Sequence, residues 1–141
     1  MLEAGAPLAA ASSSGAGVAG QGIDARRAPK VAVIVGPVAG ITDSYRAMAK
    51  DAARVARRYT PNVVEVYSPN ATWPRVAEAI DGASIVIYLG HGNGSPSPYG
   101  AFSRYSKDGM GLNKTAGNGN SNTKYWGEYY IDRDIQMAPN A

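Results

Sequence analysis

The sequence predicts a three-layer α/β fold built on a parallel sheet. Three observations carry this. Largely apolar runs of five or six residues recur at 31–35, 63–67 and 84–89. The first is continuous and rich in β-branched residues, as a strand buried on both faces is. Between them lie segments with apolar residues at helical spacing, and the connections are short. A β-α-β-α-β series of this kind joins parallel strands by right-handed crossovers, with helices on both faces and strand order 2-1-3.

Residues 1–29 precede the first strand and are mostly Ala, Gly and Ser. They read as a linker or disordered tail, and residues 30–141 as one partial α/β domain. The tail has no basic segment ahead of an unbroken apolar stretch, so a standard signal peptide is not expected. Arg26, Arg27 and Lys30 flank the first strand and read as a solvated boundary. Val31 to Val35 forms that strand, and Gly36-Pro37-Val38-Ala39-Gly40 a loop. Thr42 or Asp43 then caps a helix whose apolar side holds Tyr45, Met48, Ala49, Ala52, Val55, Ala56 and Tyr59. Arg46, Lys50 and Arg54 share its opposite face, and Pro61 ends it.

Val63 to Tyr67 is the second strand. Thr72 caps a second helix with Pro74 in its first turn, where a missing N–H costs nothing. Trp73, Val76, Ala77 and Ile80 share one face of this helix, and Gly82 stops it. Ser84 to Leu89 is the third strand. Residues 100–124 show neither strand nor helix period, and a loop that long is functional or disordered. Tyr125 to Ile131 fits a short strand or a helix.

Composition excludes several classes. A net charge of +3 with a pI near 9.2 is too mild to argue for nucleic acid. The absence of cysteine excludes disulfides and thiolate metal sites, while leaving the compartment open. One histidine cannot build a zinc site, and no run approaches the ~20 apolar residues of a membrane span. The Gly36–Gly40 loop has neither the lysine of a phosphate loop nor the Gly-x-Gly-x-x-Gly of a dinucleotide site. Nor is there a Gly-x-Ser-x-Gly elbow. No cofactor and no metal are therefore expected.

The single histidine, His91, follows the third strand and opens a Gly- and Pro-rich loop, Gly90 to Pro98. Ligands of open α/β sheets bind beyond the carboxyl ends of the strands. An imidazole there can take or give a proton near neutral pH. Ser95 and Ser97 lie nearby as alternative nucleophiles, with no visible partner to align them. Tyr99, Phe102, Tyr105, Tyr125, Trp126, Tyr129 and Tyr130 either line a cleft or pack the late segment onto the sheet.

With this series of elements, Tyr88-Leu89-Gly90-His91-Gly92 resembles the strand-end His-Gly of the caspase–hemoglobinase fold, across about residues 30–95. That group includes caspases, metacaspases, legumain, gingipain and clostripain-like cysteine peptidases. The stretch from Lys107-Asp108-Gly109-Met110-Gly111-Leu112-Asn113 through Tyr125-Trp126-Gly127-Glu128-Tyr129-Tyr130 is similar to bacterial proteins with a caspase-like core. The resemblance implies a flavodoxin-like sheet and a catalytic pair of positions, His91 as base or acid with Gly92 beside it. Its substrates would be peptides or proteins. It also implies a cysteine after a fourth strand, and none of the 141 residues is a cysteine. The chain is therefore expected to be an incomplete peptidase domain, inactive by itself. Without the fourth strand, Ser84–Leu89 becomes an apolar edge and self-association through it is expected. The reading from a different class is a non-catalytic binding module of a bacterial surface or secreted protein, using the loops after residue 92.

Overall fold

A computed structural model describes residues 28–94, 96, 100–121 and 123–141. At its centre is β1 (Val31–Val35), every residue of which is buried. It pairs in parallel with β2 (Val63–Tyr67) on one side and β3 (Ile85–Leu89) on the other. Val31 is level with both Val63 and Ile85, and Val35 with both Tyr67 and Leu89. The order β2-β1-β3 is the one the sequence predicts. A strand covered on both faces gains from a branched side chain on each, at ~1.5–3 kcal/mol per fully buried residue. This is why β1 is apolar without alternation.

The two faces are covered differently. Val31, Val33 and Val35 pack against Ala49 and Ala53 of α1 (Thr42–Ala56). Ala32 and Ile34 pack against Trp73, Val76, Ala79 and Ile80 of α2 (Trp73–Ile80). Helix α2 begins after Thr72 with Pro74 in the first turn, and the chain turns away at Gly82, whose φ is +74°. A left-handed φ costs glycine little, which makes it a good helix stop. Lys30, expected only as a solvated boundary, has a specific task. Its Nζ donates to the Glu78 and Asp81 carbonyls at 3.0 and 2.7 Å, capping the end of α2 with a positive charge.

Helix α1 departs from expectation at its start and along one side. A 3-10 turn, Ala39–Ile41, precedes it, and Thr42 is its first residue rather than its cap. The Thr42 hydroxyl is buried, accepting from Val38 N at 2.8 Å and donating to the Ala39 carbonyl at 2.9 Å, so it fixes the turn. Of the expected apolar face only part is covered, since Met48, Val55 and Tyr59 are exposed. Residues 1–27 of the expected tail lie outside the described residues. Ala28 is buried and the Pro29 carbonyl accepts from Thr60, so the described structure begins packed against the domain.

The segment after Gly100, which has no period in sequence, carries ordered structure. Strands β4 (Gly92–Asn93), β5 (Gly109–Asn113) and β6 (Thr123–Trp126) form a small antiparallel sheet in the order β4-β5-β6. The short helix α3 (Glu128–Asp134) follows β6 directly, so the ambiguous Tyr125–Ile131 stretch is the end of a strand and then a helix. Trp126, Tyr130, Ile131 and Ile135 join the α2 side of the core. There the Trp73 and Trp126 rings stack with centroids 5.4 Å apart, and Tyr130 meets Trp126 edge-on at 4.6 Å. These aromatics therefore pack the late segment onto the sheet, whereas Phe102 and Tyr105 are exposed and Tyr99 lies outside the described residues. No helix among the described residues is long and apolar enough to cross a membrane.

Candidate functional site

The carboxyl ends of the three parallel strands carry Gly36, Ser68 and Gly90-His91, and β5 crosses beside them. The Gly36 N–H donates to the Leu89 carbonyl at 2.9 Å, extending the β1–β3 ladder by one bond. Gly111 of β5 donates its N–H to the His91 carbonyl at 2.8 Å. The Tyr88 hydroxyl folds back over this junction, within 2.7 Å of the His91 carbonyl and 2.8 Å of the Gly111 carbonyl. The His91 backbone is thus held from two sides, at the carboxyl edge and close to the loop after β1. Gly90 has no room for a side chain, because the Tyr88 ring occupies the place of its missing Cβ.

The imidazole itself is exposed, and no hydrogen bond to another described residue orients it. Gly92 pairs with Met110 in β4, and a Cβ added there would meet nothing within 4 Å. The structure therefore brings His91 and Gly92 to one edge without giving Gly92 a steric reason to be glycine. Gly92→Ala should change stability by less than about 0.5 kcal/mol in denaturant unfolding. A larger loss would mean that the backbone here differs from the one described. Ser95 and Ser97 lie outside the described residues. Among the described residues no group of three His, Asp or Glu side chains could hold a metal ion.

Beside this edge lies a polar network that the sequence does not announce. Asn113, Ser68 and Thr42 are all buried. Asn113 accepts from Ala71 N at 2.9 Å and donates to Ser68 Oγ and the Gly119 carbonyl at 3.2 and 3.1 Å. Ser68 Oγ donates to Asn120 Oδ1 at 2.8 Å, and Arg46 Nη1 donates to the Ser68 carbonyl at 2.6 Å. Ala39 N donates to the Asn120 carbonyl at 2.9 Å. The loops after β1, β2 and β5 are in this way tied to one another. Asn113 opens an Asn-Lys-Thr glycosylation pattern in sequence, but its side chain is fully committed here.

Two tyrosines at this edge hold their protons tightly. Burial pushes the Tyr88 hydroxyl well above its ordinary value of 10. Burial and the Glu65 carboxylate, 2.5 Å from its hydroxyl, do the same for Tyr67. Burial alone would raise Glu65, but the Tyr67 hydroxyl, Arg57 and Lys50 outweigh it and hold Glu65 below the ordinary carboxylate value. A raised folded pKa contributes stability that is fully present below pH 10, the unfolded value, and is lost as pH rises beyond it. Tyrosinate absorbance should therefore show at least two of the nine tyrosines unionised until the protein unfolds. Denaturant midpoints should fall above pH 10. A folded protein in which all nine titrate together would contradict this.

Comparison with known proteins gives no matching family model, no matching curated sequence and no matching solved structure.

Proposed function

We propose that the chain carries the imidazole-bearing part of a caspase-like cysteine peptidase site, with His91 as the proton-transfer group and Gly92 beside it. The single observation that supports this is the position of His91. It follows the third strand of a parallel β2-β1-β3 sheet, at the carboxyl edge, with its backbone pinned by Gly111 and Tyr88. In such a site the imidazole takes the proton of a thiol as the thiolate attacks the peptide carbonyl, and returns it to the leaving amine. The thiol would come from outside these 141 residues, because none of them is a cysteine.

Purified chain should give no turnover of Lys-, Arg-, Asp- or Asn-directed peptides. Turnover abolished by His91→Ala would overturn the thiol requirement and point to a serine or water nucleophile. The encoding frame beyond Ala141 supplies the positive test. An apolar strand followed by Cys, in a longer product whose peptidase activity is lost in His91→Ala, supports the reading.

A non-catalytic binding module is the competing proposal, and one observation favours it. The Arg104 guanidinium lies 4.6 Å over the Tyr129 ring and 5.4 Å over Tyr105, and Phe102, two residues earlier in the chain, is exposed. Cation-backed aromatics at a surface suit a peptide or protein partner. A frame that stops at Ala141 would favour this second reading.

A further inference from the structure

We propose that two copies of this chain associate through β3 about a two-fold axis, joining their sheets into one in the order 2-1-3-3-1-2. This inference rests on the fold of these 141 residues and uses none of the proposed chemistry; a strand supplied from beyond Ala141 would compete for the same edge.

The first observation is the edge. Among the described residues β3 pairs only with β1. Ile85 N donates to the Lys30 carbonyl, and Gly36 N to the Leu89 carbonyl. In a parallel ladder this phase gives Ile85, Ile87 and Leu89 the bonds to β1 and turns the N–H and C=O groups of Val86 and Tyr88 outward. The start of the strand is closed off by the Gln136–Ala138 segment, where Gly82 N donates to the Gln136 carbonyl and Ala138 N to the Ala83 carbonyl. Among the described residues, what stays open is Val86 to Tyr88, with no charge or proline to discourage pairing. This edge matches itself. With a two-fold axis at Ile87, Val86 of one copy exchanges both backbone bonds with Tyr88 of the other, and the reverse, for four new bonds.

The second observation is the flank of α1. Arg46 and Arg57 reach toward β2, to the Ser68 carbonyl and Glu65. At 100° per residue, Tyr45, Met48, Ala52 and Val55 of α1 fall on the flank away from Arg46 and Arg57, with Ile41 in the turn before the helix and Tyr59 in the turn after it. Tyr45, Ile87 and Leu89 all pack against the same buried cluster of Val31, Val33, Val35, Ala49 and Ala53. Ile41, Met48, Val55, Tyr59 and Ile85 are 49, 51, 38, 73 and 52% exposed. Taking roughly 200 Å² for a fully exposed large side chain, these five leave roughly 500 Å² bare per copy. A symmetric pair covering both stripes would bury roughly 1,000 Å², the least that a specific interface needs, before the paired strands are counted. The antiparallel β3 pair sets the two α1 flanks facing each other on one side of the joined sheet.

The absence of cysteine makes the register testable in the full chain. Ile87→Cys puts one thiol from each copy on the axis, in a non-hydrogen-bonded antiparallel pair close enough for a disulfide. Ile85→Cys puts them four residues out of register, roughly 13 Å apart. Sedimentation velocity should show a concentration-dependent dimer of the unaltered chain. Mild oxidation should cross-link Ile87→Cys and leave Ile85→Cys uncross-linked. Met48→Lys with Ile85→Lys, both at exposed positions, should weaken the dimer at least about tenfold. Circular dichroism of each variant checks that it folds. A monomer at high concentration would overturn the proposal, whether because another segment covers the edge or because the stripe is inert. So would a dimer that ignores the lysines, or one that cross-links equally at both positions.

Discussion

Replacing Gly36 by alanine should destabilise the protein by roughly 3 kcal/mol or more, at the upper end of what overpacking costs. The reason is backbone against backbone. A Cβ on Gly36 would overlap the Gly111 carbonyl oxygen, and it would lie 2.9 Å from the Tyr88 hydroxyl. Gly36 cannot retreat, because its N–H holds the Leu89 carbonyl and that bond belongs to the β1–β3 ladder. Gly111 cannot retreat either. Its N–H holds the His91 carbonyl, and the space a Cβ would take on it is already narrowed by the His91 Cβ and the Thr123 methyl, each 3.2 Å away. The junction of β1, β3 and β5 would have to open, taking the seat of His91 with it. Gly40→Ala is the control. A Cβ there meets nothing within 4 Å and the φ is not left-handed, so stability should stay within about 0.5 kcal/mol. Urea unfolding of both variants decides the matter. Equal, small effects would show that β5 does not sit against Gly36.

Most of the sheet was legible in the sequence, and most of what positions the site was not. Strand β1 announces itself because burial on both faces demands an unbroken apolar run, and the half-buried β2 and β3 because they stay rich in Val, Ile and Tyr. Helix α2 is legible from Pro74 and Gly82, which act on the backbone locally, and from Thr72, which takes the cap position without a side-chain capping bond. Strand β5 is silent for an opposite physical reason. Gly-Met-Gly-Leu-Asn has poor strand propensity, and its glycines are there for close approach. A Cβ on Gly109 would meet the Ser106 and Trp126 carbonyl oxygens at 2.7 and 2.8 Å. Only the folded partner reveals that need. The period of α1 marks an apolar stripe that is rotated from the side the sheet covers: burial centres on Thr42, Ala49 and Ala53, of which the stripe holds only Ala49, while Met48, Val55 and Tyr59 are exposed. His91 was found because a lone imidazole after a buried strand stands out.

Asn113→Ala should cost on the order of 4 kcal/mol, through groups left behind rather than volume removed. The side chain is fully buried and makes three hydrogen bonds, to Ala71 N, Ser68 Oγ and the Gly119 carbonyl. Each buried partner stranded without a bond costs ~1–3 kcal/mol. Ser68 keeps Asn120 and is partly spared, so the burden falls on Ala71 and Gly119. Asn113→Asp separates this account from simple loss of packing, since the two side chains have nearly the same shape. The introduced carboxylate can still accept from Ala71 N, but it points an oxygen at the Gly119 carbonyl where the amide had donated. Burial and that carbonyl both favour the protonated carboxyl, so its folded pKa lies above its unfolded one. Stability conferred by the proton is then lost as pH rises through the folded pKa. The unaltered protein and Asn113→Ala carry no such group at this position. Denaturant midpoints for Asn113→Asp, relative to Asn113→Ala, should therefore improve as pH falls from neutral toward the carboxylate range. A difference between the two variants that is flat with pH would mean that Asn113 does not donate to Gly119, and that the loops after β2 and β5 are joined by something else.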